Sequence, residues 1–208
     1  MDTKQAYNIW ASQYDTNQNK TRDLEGQVLK QALDKFYFEN VLEIGCGTGK
    51  NTEWLLTKAK RITAVDLSEE MLAKAKVKVN SEQVKFIQAD IDQTWMFANQ
   101  TYDLVTFSLV LEHIENLEAV FQKVSAALKP GGFCYVGELH PFKQYSGTKA
   151  RFDTEAGRQI VDCYTHHISD FVKSAEIAGL VLATLDEHFD DNNKTTIPRI
   201  LKLVFTKS

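Results

Sequence analysis

The chain alternates short apolar runs with stretches in which apolar residues recur at helical spacing. Val41, Leu42 and Ile44 stop at Gly45-Cys-Gly-Thr-Gly49, and Asn51 to Lys60 continues with Trp54, Leu55 and Leu56 on its buried side. A run, a glycine cluster and a periodic stretch read as strand, tight turn and helix. The unit recurs. Ile62 to Val65 is a second strand ending at Asp66, and Ser68 caps a helix to about Val79. Val84 to Ala89 is a third strand closed by Asp90, and Tyr102 to Ser108 a central fourth, rich in strand formers. Leu117, Val120, Phe121, Val124 and Leu128 make one buried helical stripe that Pro130-Gly131-Gly132 ends, and Phe133 to Gly137 is the fifth strand.

The flanks are less regular. Residues 92–101 read as a short helix turning Trp95, Met96 and Phe97 inward. Residues 138–165, with Pro141, Gly147 and scattered aromatics, read as an irregular substrate flap. A helix from His166 to Ala178 is closed by Gly179; Leu180 to Leu185 is a sixth strand, Asp186 to Asn193 an acidic loop and Ile197 to Phe205 a seventh strand. At the start, Tyr7-Asn-Ile-Trp-Ala-Ser-Gln-Tyr-Asp15 precedes a polar tract and a helix from about Asp23 to Phe36; so aromatic a leader is expected to fold back on the body. Strands alternating with helices predict an α/β, doubly wound, mostly parallel sheet, with residues 1–208 as a single domain.

Composition narrows the function. Hydrophobic content of 43% and charged content of 25% are ordinary for a soluble globular protein. A net charge of −4 leaves no footprint for nucleic acid or an anionic membrane. The start is polar and no apolar run approaches the roughly 20 residues of a membrane span, so a cytoplasmic protein is expected. Cys46, Cys134 and Cys163 show no C-x-x-C spacing, and neither a disulfide framework nor a metal site is expected.

The chemistry gathers at the first turn. Gly45, Cys46 and Gly47 lie where the backbone leaves a strand sharply, and glycine lets a ligand rest against the peptide. Asp66, about 20 residues on at the end of the next strand, suits the two hydroxyls of a ribose. The glycines run G-x-G-x-G rather than the pyrophosphate pattern G-x-G-x-x-G, and Glu43 before them would repel a pyrophosphate and attract an ammonium. A ribose with an α-amino group at its far end describes S-adenosylmethionine. The Val41–Gly49 stretch resembles the first motif of the class I (Rossmann-like) S-adenosylmethionine-dependent methyltransferases. Similar blocks follow in order: Val65-Asp-Leu-Ser-Glu-Glu-Met71, Phe86-Ile-Gln-Ala-Asp90, Tyr102-Asp-Leu-Val-Thr-Phe-Ser108 and Leu128-Lys-Pro-Gly-Gly132. The resemblance covers residues 40–140 and implies strand order 3-2-1-4-5-7-6 with the seventh strand antiparallel.

That resemblance implies a methyl transfer to a small-molecule acceptor by a monomer or homodimer. Leu67 and Met71 would face the adenine, Asp90 would accept from its N6 amino group and the Ile91 amide would lie by the ring. Ser108 and His113 are delivered into the same crevice. The N-terminal segment, residues 1–36, is either a cover for one sheet edge or, as in similar methyltransferases with W-A-x-x-Y-D, a lid placing Tyr14 and Arg22 near the methionine carboxylate. His113, His140 and His167 are candidate bases, with His140 preferred as the one facing the acceptor side. Tyr145 and Lys149 match the Y-x-x-x-K of short-chain dehydrogenases, but that pair must share a helix and Gly147 interrupts it. The alternatives are a non-catalytic S-adenosylmethionine-binding protein and a nicotinamide-dependent oxidoreductase.

Overall fold

The buried runs pair with one another as a sheet. The computed structural model describes residues 1–154 and 157–208. In chain order come helices α1 (Thr3–Trp10) and α2 (Lys20–Leu33), then β1 (Asn40–Ile44), α3 (Lys50–Leu55), β2 (Arg61–Asp66), α4 (Glu69–Lys78), β3 (Val84–Gln88) and β4 (Tyr102–Ser108). They are followed by α5 (Leu117–Ala127), β5 (Leu128–Leu139), α6 (Pro141–Tyr145), β6 (Arg151–Thr154), β7 (Gly157–Ile160), α7 (Ile168–Ile177), β8 (Leu180–His188) and β9 (Ile200–Lys207). Seven strands form one sheet in the order β3-β2-β1-β4-β5-β9-β8, in which β9 runs antiparallel to both neighbours. This is the order that the resemblance implied, with the β6–β7 hairpin added outside the sheet.

A parallel sheet must be covered on both faces, which is why its strands are apolar on both sides. Val41 faces α2, α3 and α4 with Leu29, Leu33, Leu55 and Leu72. Leu42 and Ile44 point the other way, into a cluster that α5 and α7 complete through Phe121, Val124, Phe171 and Ala175. A third cluster lies above the carboxyl ends of the strands: Ala6, Trp10 and Ala11 of the N-terminal segment, Met71 of α4, and Phe152 and Val161 around the hairpin.

Several expectations need correction. Residues 92–101 are not a helix: the carbonyls of Ile91, Asp92 and Gln93 accept hydrogen bonds from the Lys123 ammonium, and Trp95 Nε1 bonds back to Ile91 O. Trp95 and Phe97 are buried there, but Met96 is exposed. The acidic loop begins later than expected, because Asp186, Glu187 and His188 pair with Lys202, Leu201 and Ile200 and lengthen β8. The last strand starts at Ile200, not Ile197. Pro198 lies in that gap and has no N–H to offer a ladder. Within the 138–165 stretch, the described residues hold α6 and a hairpin of regular register. Tyr145 ends α6 and Lys149 lies beyond it, so the Y-x-x-x-K residues share no helix.

Candidate functional site

At the end of β1 the chain reverses through Gly45 and Gly47, both with positive φ. A Cβ on Gly45 would stand 2.2 Å from Val110 Cγ2, whereas one on Gly47 would meet nothing within 4 Å. The loop is held from below: the Gly45 and Cys46 amides donate to Val65 O, and the Gly47 amide donates to Asp66 Oδ2 at 2.8 Å. The other Asp66 oxygen accepts from the Ser68 amide at 2.8 Å, so the carboxylate braces both the loop and the start of α4. Burial pushes the Asp66 carboxyl up, against those amides.

Above this loop is a cavity of about 280 Å³ at the carboxyl ends of β1, β2 and β4. Its walls bring together Tyr14, Gly45, Gly47, Asp66, Leu67 and Met71 from the first half of the site. Asp90, Ile91, Ser108 and His113 close it from the other side, with Asp2 and Asp92 adding two more carboxylates. A recess beside it, between the glycine loop and α2, holds Arg22, Cys46 and Glu25. The Arg22 guanidinium is anchored to Tyr14 O, to Asn17 O at 3.0 Å and to Asn17 Oδ1 at 3.2 Å, and lies 5.4 Å over the Tyr14 ring.

The remaining candidates lie elsewhere. Glu43 is buried under the loop on the α3 side, where Thr52 Oγ1 donates to its carboxylate at 2.6 Å; it does not line the cavity. Burial pushes the Glu43 carboxyl up to about 8. His140 is fully buried: its Nδ1 accepts from the Phe142 amide at 3.1 Å, so Nε2 carries the proton and donates to Glu187 at 2.9 Å. Both nitrogens are engaged, and burial holds the imidazole below its usual range against the pull of Glu187. His167 caps α7, bonded to Tyr145 Oη at 2.6 Å.

Several groups at the site carry no sequence motif. Glu25 of α2 is buried among Ser108 Oγ at 2.8 Å, Tyr135 Oη at 3.0 Å and Asn51 Nδ2 at 3.3 Å, and burial lifts its carboxyl to about 7. Glu138 Oε1 accepts from the Val110 and Leu111 amides at 2.9 and 2.8 Å, which holds the turn after β4 and leaves Leu109 in the left-handed region at φ 58°. Tyr7 of α1 bonds to His113 Nε2 at 2.9 Å. Because the Asp162 carbonyl can only accept, His113 Nδ1 carries the proton at 2.9 Å from it, and Nε2 receives the Tyr7 hydroxyl. Glu112, His113 and Cys163 also bring one metal-type donor atom each within 4.8 Å, but the imidazole is already committed at both nitrogens.

A family model described as a methyltransferase domain matches residues 42–136. The chain is 33% identical over 133 residues to the malonyl-[acyl-carrier protein] O-methyltransferase of Priestia megaterium, covering 62% of this chain and 48% of that protein. It is 29% identical over 146 residues to the ubiquinone biosynthesis O-methyltransferase of Xanthomonas oryzae, covering 67% and 59%. It therefore spans about half to three fifths of the length of these relatives. Among solved structures, the DhpI–SAH complex superposes with a TM-score of 0.75 at 24% identity, covering 97% of this chain and 93% of the other, a likeness of fold. Over residues 42–136 the chain is thus similar to the methyltransferase domain, and its sheet has the fold of the class I S-adenosylmethionine-dependent methyltransferases.

Proposed function

We propose that this protein methylates a small-molecule acceptor with S-adenosylmethionine and releases S-adenosylhomocysteine. The observation that carries the reading is the acid-walled cavity at the strand ends, with an open glycine loop as its floor and Asp66 behind it. Asp66 suits the ribose diol and Asp90 the adenine amino group, while Leu67, Met71 and Ile91 supply the apolar faces an aromatic ring needs. The recess pairs a cation, Arg22, with an acid, Glu25, which matches the carboxylate and ammonium of an amino-acid tail. Glu43 acts here as a prop for the loop through Thr52.

S-adenosylmethionine supplies a methyl group on a sulfonium, and the breaking S–C bond leaves its electron pair on sulfur. The chain's task is alignment, exclusion of water and removal of one proton. The two relatives described above are named O-methyltransferases, which favours an oxygen nucleophile, and a hydroxyl is the case in which a proton must be removed. Tyr7 lines this cavity and the one next to it, so its phenol oxygen is placed to take the acceptor's proton as its own passes to His113 Nε2. The imidazolium so formed lies 4.0 Å from Glu112. The proton then leaves to solvent.

Calorimetry of the purified protein with S-adenosylhomocysteine tests the reading. Binding is expected for the native chain and a roughly 10- to 100-fold loss for Asp66→Ala, since a hydrogen bond to a charged group is worth about 1.5–3 kcal/mol. Absence of binding, or binding of NADH instead, overturns it. Binding without methylation of any acceptor in a broad panel would favour a non-catalytic binding protein.

A further inference from the structure

A second cavity of about 250 Å³ shares Tyr7, Tyr14 and Leu109 with the first. Its charge is the reverse of its neighbour's. On a chain of net charge −4, Lys20, Lys149, Arg151 and Arg199 converge on its rim. Arg199 is spoken for by Asp190, at 2.6 Å to one carboxylate oxygen. Lys20, Lys149 and Arg151 have no carboxylate within 4.0 Å among the described residues. Facing this cavity is Glu112, 6% exposed, one of whose carboxyl oxygens has no hydrogen-bond partner among the described residues.

The donor cavity has four aspartates for a ligand whose reacting end is cationic, and the adjoining cavity has cations around one buried acid, none of them paired among the described residues except Arg199. We propose that the acceptor is a small hydroxy acid: its carboxylate or phosphonate is gripped by Lys149 and Arg151, and its hydroxyl lies between Tyr7 and Glu112. An arginine fork and an ammonium are the groups that recognise such anions, by charge-assisted hydrogen bonds. The orphaned Glu112 oxygen gains its missing partner from the acceptor. This rests on the methyl-transfer reading and adds the class of acceptor to it.

The test uses the full chain loaded with S-adenosylhomocysteine, so that failure of donor binding is seen separately and first. Saturation-transfer NMR is run with a panel of C3–C5 hydroxyalkyl carboxylates and phosphonates, each beside its neutral amide or diester. At least one acid is expected to bind ten times or more tightly than its neutral partner, and the carboxylate and phosphonate arms tell which anion fits. The double variant Lys149→Ala, Arg151→Ala, altered at two exposed positions, is expected to lose that binding about tenfold while its affinity for S-adenosylhomocysteine is unchanged. With a turned-over acid the loss falls in KM, not kcat, and KM rises with salt. The proposal fails if no acid outbinds its neutral partner, or if the double variant binds the acid as the native chain does.

Discussion

Two residues of the first cavity separate what the backbone does there from what a side chain does. Gly45 has φ 71° and faces Val110, so Gly45→Ala combines left-handed strain with a 2.2 Å approach to Val110 Cγ2 that forces Val110 to shift. Strain of this kind costs about 1–3 kcal/mol. The variant is expected to lower the melting temperature and to abolish detectable S-adenosylhomocysteine binding, because the Gly47 amide that Asp66 holds moves with the loop. Tyr7 is the complementary case, a side chain whose removal leaves the backbone alone. Burial holds its phenol protonated well above the usual range, so it acts by passing a proton, not by standing ionised. Tyr7→Phe is expected to cut kcat by about 100-fold, the low end of what a positioned proton acceptor contributes. Donor affinity measured by calorimetry stays within about twofold; a loss confined to donor affinity would make Tyr7 a packing residue.

Among the elements, α1 decides access. It lies over α4 and the hairpin through Trp10, whose ring stacks on Phe152 at 5.1 Å and meets Tyr14 edge-on at 5.1 Å. Asn8 takes a hydrogen bond from Ser68 Oγ at 2.6 Å, and Asp15 binds Thr48 and Lys78, both at 2.6 Å. These ties run from the segment to the glycine loop and α4, the elements that line the proposed donor cavity. Hydrogen exchange is therefore expected to show slower exchange over residues 3–15 when S-adenosylhomocysteine is bound, and Trp10→Ala is expected to erase that difference; equal exchange with and without ligand would make the segment a fixed cover. The strands and helices from Val41 to Gly137 were readable because each is short, apolar and punctuated by glycine, proline or a cap. Asp66 was readable because its distance from the glycines is set by one helix and one strand. Glu25, Tyr7 and Glu138 were not: their partners are 83, 106 and 28 positions away, and a local pattern carries no trace of such contacts. The turn at 92–101 misled for the same reason, since Lys123, some 30 residues on, supplies the hydrogen bonds a helix would have made.

On the scale of the whole molecule, three buried carboxyls set how stability depends on pH. Burial lifts Glu25 to about 7 and Glu43 and Glu138 to about 8, the last also through its neighbour Glu112. Each takes up protons more readily in the folded chain than in the unfolded one, so folding is favoured below the ordinary carboxyl range and that advantage drains as pH rises through 7 to 8. The surface acids run the other way. Asp15, Asp23 and Asp190 are held below their usual range by Lys78, by Arg22 and Lys50, and by Arg199, and their contribution vanishes only as pH falls below about 4. Between the two windows the ligand-free protein is expected to be most stable, at mildly acidic pH. Glu43→Gln isolates one term: the amide keeps an acceptor for Thr52 and cannot ionise. Its melting temperature should match the native chain's near pH 5 and exceed it near pH 8.5, at roughly 2–4 °C for each kcal/mol recovered. A parallel fall in both proteins between those pH values would mean that Glu43 is already ionised at neutrality. In that case the loop above it rests on a charge, and the positive end of the donor becomes its natural counter-ion.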